Sequence, residues 1–279
     1  MKVFITGVSG QLGHDVAEVL AARGIEHVGV SSKELNICDR DAVFAALSEY
    51  KPDAVIHCAA YTKVDLAESE PEKCWSVNVD GTRSIAEACR ALDAKMVYIS
   101  TDYVFPGDGD RPYEVDDPTR PLNTYGRTKL AGELAVRSMT DKHFIVRTSW
   151  VIGANGSNFV KTMLRLAETH DELNVVCDQV GSPTFTADLA PLLCDMIMTE
   201  KYGIYHATNE GTCSWAELAE EVFRLAGKKV RVNHVTTEEY GAKAWRPKNS
   251  RLSKGKLDKN GFNRLPEWDA ALAEYVRII

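Results

Sequence analysis

The chain has 279 residues, 44% of them hydrophobic and 26% charged, with a formal net charge of −7 at pH 7. That length buries a core without help from disulfides or metals, and the acid excess excludes a nucleic-acid surface, which needs a basic footprint. No window approaches the roughly 18 apolar residues of a membrane helix, and the seven cysteines form no CxxC pair, so a cytoplasmic protein with free thiols and no membrane contact is expected.

The N-terminal half alternates short Val- and Ile-rich runs with helical periodicity. Val3–Thr6, Glu26–Val30, Ala54–Cys58, Met96–Ser100 and Phe144–Arg147 read as buried parallel strands. Between them Gln11–Arg23, Asp41–Tyr50, Pro71–Leu92 and Thr124–Arg137 read as helices, the third opened by Pro71 and Glu72. Alternating strands and helices imply a parallel sheet covered on both faces, an α/β fold of the Rossmann-like, doubly wound kind. The second half is less regular. Asn158–Glu168, Thr186–Met198 and Ser214–Ala226 read as helices, and Ser214 with Glu217 fits a capping box. Asn174–Cys177 and Gly203–Thr208 read as strands, and Thr236–Pro266 as a loop-rich tail.

Gly7-Val8-Ser9-Gly10-Gln11-Leu12-Gly13 follows the first strand and opens the first helix. Its GxxGxxG spacing supplies a tight turn, a backbone that can approach a pyrophosphate, and close helix–sheet packing. Free amides at the helix start then face the negative charge. Residues 1–150 are therefore expected to form an NAD(P)-binding domain, with 151–279 a substrate-binding region that packs partly back on the sheet. Choice of cofactor rests on the end of the second strand, where an Asp or Glu would grip the ribose 2′-hydroxyl. Here Val28-Gly29-Val30-Ser31-Ser32-Lys33 carries no acid before Glu34. Ser31, Ser32 and Lys33 suit a 2′-phosphate, which favours NADPH over NADH and leaves use of both open.

Tyr125-Gly126-Arg127-Thr128-Lys129 sets a tyrosine and a lysine on one helical face. A phenol of pKa about 10 is a poor acid at neutral pH, and a nearby ammonium brings it toward the working range. Such pairs also arise by chance on solvated helices. Thr101 and Asp102, however, follow the Met96–Ile99 run and so lie at the carboxyl edge of the sheet, where open α/β sheets bind ligands. The Thr101 hydroxyl either donates to a substrate carbonyl or caps the local backbone.

Glycine turn, strand-end hydroxyl and YxxxK helix, in this order, resemble an extended short-chain dehydrogenase/reductase. Further strings are similar to one branch of it, the dTDP-4-dehydrorhamnose reductases. They are Gly10–Gly13, Ala59–Asp65 (AAYTKVD), Ser100–Phe105 (STDYVF), Tyr125–Glu133 (YGRTKLAGE), Arg147–Trp150, Asp178–Thr184 (DQVGSPT) and Arg246–Leu252 (RPKNSRL). The resemblance spans nearly the whole chain.

It implies a reductase passing a hydride from NADPH or NADH to the C4 keto group of a nucleotide-linked 4-keto-6-deoxysugar, foremost dTDP-4-dehydro-L-rhamnose. It assigns catalysis to Thr101, Tyr125 and Lys129, with Asp102 assisting at the sugar. Gly10, Gln11 and Leu12 would meet the pyrophosphate beside Gly7 and Gly13, with Ala59, Ala60, Tyr61 and Thr62 further along the cofactor. Asn36, before Ile37, stands where the family often has an Asp facing the adenine amine, and its amide oxygen can accept the same bond. Val64 and Trp150 would touch the deoxysugar, although Trp150 also reads as a core aromatic. Arg246 would hold the substrate diphosphate, although it also reads as a surface arginine beside Pro247. Some members of the branch bind Mg²⁺ at a dimer interface. Asp15 and Asp188 stand at comparable places, but each is shorter than a Glu; no metal is expected, and a homodimer is left open.

Two rival readings remain at this stage. One is a nucleotide-sugar epimerase or dehydratase of the same fold, although Asp102-Tyr103 lacks the acidic pair of a dehydratase. The other is a non-catalytic subunit, since a relative of this branch regulates methionine adenosyltransferase. An intact Thr101, Tyr125 and Lys129 argues against it.

Overall fold

The computed structural model describes residues 1–279. Six parallel strands form its central sheet: β1 (Lys2–Thr6), β2 (Glu26–Val30), β3 (Ala54–His57), β4 (Lys95–Thr101), β5 (His143–Thr148) and β6 (Gly203–His206). Their spatial order is β2-β1-β3-β4-β5-β6. The chain leaves β1 to one side and returns on the other at β3, so the order reverses there. Such a switch point opens a crevice beyond the carboxyl ends of the strands.

Each strand carries apolar side chains on both faces because helices cover both. On one face α1 (Gln11–Ala22) and, from the C-terminal half, α5 (Thr186–Ile197) bury Val16, Leu20, Leu189, Leu193 and Ile197 against Val3, Ile5, Ile56 and Phe144. On the other face lie α2 (Arg40–Tyr50), α3 (Thr82–Ala91) and α4 (Thr124–Met139). They pack Val43, Leu47, Ile85, Cys89 and Val136 on Phe4, Val55, Met96 and Ile145.

A second core forms the smaller lobe, from Ile152, Val160 and Phe185 with α6 (Trp215–Leu225) and α7 (Trp268–Ile278). The capping box forms: Ser214 Oγ accepts from Glu217 N while Glu217 returns to Ser214 N. Strands in this lobe are short. Val180–Gly181 runs between Cys213–Ser214 and Asn249–Ser250, and Glu172–Val176 pairs with Arg231–Val235.

The structure differs from the sequence expectations in three places. Pro71–Leu92 is not one regular helix: Ser76–Gly81 is a π-helical turn between Pro71–Trp75 and α3. The turn lets Asn78 reach the Tyr61 backbone and lets Ile37 press on Gly81, where a Cβ would stand 2.8 Å from it. The tail is more ordered than a loop, holding Asn249–Ser250 and the short helices Thr237–Tyr240 and Gly255–Lys259. Strand Arg231–Val235 and α7 were not anticipated. Each packs on partners far along the chain. No helix is long and apolar enough to cross a membrane.

Candidate active site

A cleft of about 800 Å³ lies at the switch point, roofed by the smaller lobe. Its floor begins with the glycine turn. Gly7 has φ +73°, and a Cβ there would sit 2.7 Å from Ala59 N, so the ends of β1 and β3 approach to backbone contact. Gly13 is tighter, since its Cβ would lie 2.4 Å from the Gly7 carbonyl oxygen. The first helix starts at Gly10 with no side-chain cap. Its first amides are therefore free for an anion. These features fit a dinucleotide pyrophosphate. Gly13→Ala should consequently lose nicotinamide-dinucleotide affinity by more than tenfold, measured by isothermal calorimetry, because the new methyl pushes the turn off the helix.

The other residues expected at the cofactor line the same cleft: Gln11 and Leu12 on α1, Asn36 and Ile37 past β2, and Ala59, Ala60, Tyr61 and Thr62 past β3. Gln11 also joins the lobes, its Oε1 accepting from Gly153 N at 2.8 Å and Asn158 Nδ2 at 3.0 Å. Past β2, Ser31 N and Oγ both donate to the Glu34 carboxylate, which holds that carboxyl below its usual value.

Thr101, Asp102, Tyr125 and Lys129 meet at the inner end of the cleft. Asn123 caps α4, its Oδ1 accepting from Gly126 N at 2.7 Å, which starts the helix so that Tyr125 and Lys129 share the face toward β4. Burial, then the Asp102 charge, push the Tyr125 phenol well above its ordinary value, and the Thr101 hydroxyl beside it works the other way. Lys129 is 2% exposed, with Nζ 4.1 Å from the centre of the Tyr98 ring. Burial pulls it down to about 7, opposed by Glu133. Asp102 is 3% exposed and pushed up to about 6 by burial, although Ser250 and Thr101 donate to it. Thr101 Oγ1 gives its one proton to Asp102 Oδ1 at 3.0 Å. Donation to a substrate carbonyl therefore requires that bond to be exchanged.

The roof is aromatic. Trp150, at φ +50°, holds a left-handed conformation that costs a bulky residue roughly 1–3 kcal/mol. Its indole stacks on Trp215 at 3.7 Å and 15°, and Phe159 backs Trp215 at 4.6 Å. Val64, Trp150 and Trp215 all line the cleft. Gly181 admits the indole, since a Cβ there would be 3.1 Å from the ring.

Further along α4, Glu133, 1% exposed, takes two guanidinium bonds from buried Arg147, at 2.9 and 2.8 Å, and one from Ser100 Oγ at 2.5 Å. Asn78 joins the π turn to α4: its Oδ1 accepts from Tyr61 N at 2.8 Å and its Nδ2 donates to Thr128 Oγ1 at 3.0 Å. Asn78, Glu133, Trp215 and Ser250 escaped the sequence reading. Asn78 left a signal, because Cys74, Asn78, Gly81 and Ile85 make a helical stripe in which one member is polar. Trp215 left none, since tertiary packing alone brings it to the cleft.

Arg246 is the exception among the expected site residues. It does not line the cleft, and its guanidinium is paired with Asp65 at 2.8 and 3.2 Å. Asp15 and Asp188 border a second, smaller cavity. Asp15 accepts from Thr186 Oγ1 at 2.5 Å, and Asp188 from Asn209 Nδ2 at 2.8 Å. No group of three or more His, Cys, Asp or Glu side chains gathers there to hold a metal.

A glycine turn at a β1/β3 switch point, with a hydroxyl, a tyrosine and a lysine at the end of β4 and on α4, defines an extended short-chain dehydrogenase/reductase. The profile described as "RmlD substrate binding domain" matches residues 1–279. The chain belongs to the dTDP-4-dehydrorhamnose reductase family. It is 45% identical over 277 residues to the dTDP-4-dehydrorhamnose reductase of Streptomyces griseus, covering 97% of this chain and 91% of that protein. It is 44% identical over 276 residues to the spore coat polysaccharide biosynthesis protein SpsK of Bacillus subtilis, covering 99% and 97%. Among solved structures, the Bacillus anthracis dTDP-4-dehydrorhamnose reductase in complex with NADP superposes with a TM-score of 0.97 at 44% identity, over 100% of this chain and 99% of that one.

Proposed function

We propose that this chain reduces the C4 keto group of dTDP-4-dehydro-L-rhamnose to give dTDP-L-rhamnose, with NADPH as the preferred electron donor and NADH as the second. The observation that carries the reading is the placing of Tyr125 and Lys129 beside Thr101 and Asp102 in a cleft floored by an uncapped glycine turn. Bound nicotinamide supplies the hydride. Tyr125 gives its proton to the oxygen that becomes the C4 alkoxide, and Lys129 stabilises the phenolate left behind. Asp102, with lone pairs to spare beyond Thr101 and Ser250, accepts from a sugar hydroxyl. The stacked Trp150 and Trp215 offer an apolar wall to the 6-deoxy ring. Ser31 and Ser32 meet the 2′-phosphate once Glu34 swings away from Ser31.

The pH dependence has a definite sign. Asp102 works ionised, so kcat/KM falls as pH drops through about 6. Lys129 works as a cation, so kcat/KM falls again as pH rises through about 7. The two limbs make a narrow bell, and Asp102→Asn should flatten its acid side.

The test follows NADPH and then NADH absorbance with the keto sugar generated in place. One cofactor oxidised per sugar, faster with NADPH, supports the reading. Sugar interconversion with no net cofactor oxidation would make the chain an epimerase, and cofactor binding without any turnover would return the regulatory-subunit reading.

A further inference from the structure

Asp102 is held from behind by a residue that lies far along the chain. Ser250 Oγ donates to Asp102 Oδ2 at 2.5 Å, and Ser250 is 1% exposed and does not line the cleft. It belongs to the short strand Asn249–Ser250, which pairs in parallel with Val180–Gly181. Gly181 in turn meets both neighbours: a Cβ there would stand 2.8 Å from Ser250 Cβ and 3.1 Å from the Trp150 ring. The strand is anchored from the catalytic side as well, by Asn249 N on the Gly107 carbonyl at 2.9 Å and Asn249 Nδ2 on the Arg111 carbonyl at 2.8 Å. One rigid piece of the smaller lobe thus touches the indole that roofs the cleft and the carboxylate beside the catalytic tyrosine.

We propose that Ser250 is a positioning residue for the reduction, whose hydroxyl keeps the Asp102 carboxylate ionised and turned so that its second oxygen holds Thr101 against Tyr125. This deepens the reductase reading and rests on it. The chemistry follows from where Asp102 sits. No guanidinium or ammonium bonds to it; its side-chain partners are the two hydroxyls of Thr101 and Ser250. A buried carboxylate without a cation stays charged only through such donors. The titratable groups around it do not replace them. Tyr103 and Tyr125 face it as neutral phenols, and Lys129 lies a turn further along α4. Arg246 is spent on Asp65, Lys248 on Asp178 and Glu238, and Arg251 on Asn249. Loss of the Ser250 proton donor therefore pushes Asp102 toward the neutral acid. Thr101 then accepts from that acid instead of donating to it, and its hold on Tyr125 changes.

The test titrates Asp102 in protein labelled with [4-¹³C]aspartate, the Asp102→Asn variant identifying its signal, in the wild type, Ser250→Ala and Ser250→Thr. In Ser250→Ala the midpoint should rise by about one to two pH units. The acid limb of kcat/KM should move up with it, while dinucleotide affinity stays close to wild type and the melting temperature at neutral pH falls by a few degrees, as the raised midpoint requires. Ser250→Thr restores a hydroxyl and should return both midpoints toward the wild type. The proposal is overturned if the Asp102 midpoint in Ser250→Ala coincides with that of the wild type, or if it rises and Ser250→Thr fails to bring it back. Should the wild type not reduce the keto sugar, the reductase reading fails, and the Asp102 titration still decides what Ser250 does.

Discussion

Replacing Tyr125 by Phe should lower kcat by about a thousandfold while leaving dinucleotide affinity and melting temperature unchanged. General acid catalysis by a positioned side chain contributes roughly 10²–10⁴-fold, and here the acid has no evident substitute. The phenol is pushed up by burial and by Asp102, so it carries its proton at neutral pH and releases it only to a developing alkoxide. Release leaves a buried phenolate, which needs a cation close by. Lys129, four residues on along α4, is the ammonium we propose for that role. Thr101 keeps its hydrogen bond to Asp102 in the variant, so the pocket shape survives. Stopped-flow or steady-state assays with the keto sugar, beside calorimetry of dinucleotide binding, check both halves. Turnover near wild type would remove Tyr125 from the mechanism.

Arg147→Met should cost about 3–5 kcal/mol of stability, because removing one partner of a buried pair strands the other charge. For a chain of this size that corresponds to a fall in melting temperature of roughly 5–9 °C, readable by calorimetry. Arg147 and Glu133 are both nearly inaccessible, at 3% and 1% exposure, and only the Ser100 hydroxyl would remain on Glu133. The change reaches the active site through charge. Glu133 opposes the desolvation that pulls Lys129 down. An unchanged melting temperature would show that the pair contributes no net stability.

Much of the sheet and its floor was legible because local physics specifies them. Buried parallel strands read as short β-branched runs, and GxxGxxG after the first of them has few uses other than a phosphate turn. Tyr125 and Lys129 were readable as a pair through helical spacing together with Thr101 at the end of a strand. What escaped depends on contacts distant in sequence. Ser250 meets Asp102 across 148 positions, and Trp215 joins Trp150 through a helix of another lobe. Arg246 illustrates the converse. The resemblance gave it a substrate diphosphate, whereas in the fold both terminal nitrogens of its guanidinium bond Asp65, 181 positions away. The regular helix expected over Pro71–Leu92 failed for a similar reason, since the backbone of Tyr61 draws Asn78 into a π turn. Such turns often mark functional sites.

The central claim is hydride delivery to the sugar C4, and isotopic tracing tests it most directly. NADPH carrying deuterium at both nicotinamide C4 positions would be turned over with dTDP-4-dehydro-L-rhamnose and the product examined by ¹H and ²H NMR. The account predicts one deuterium at C4 of dTDP-L-rhamnose for each NADPH oxidised. Product without deuterium at C4, or deuterium at another carbon, would contradict it.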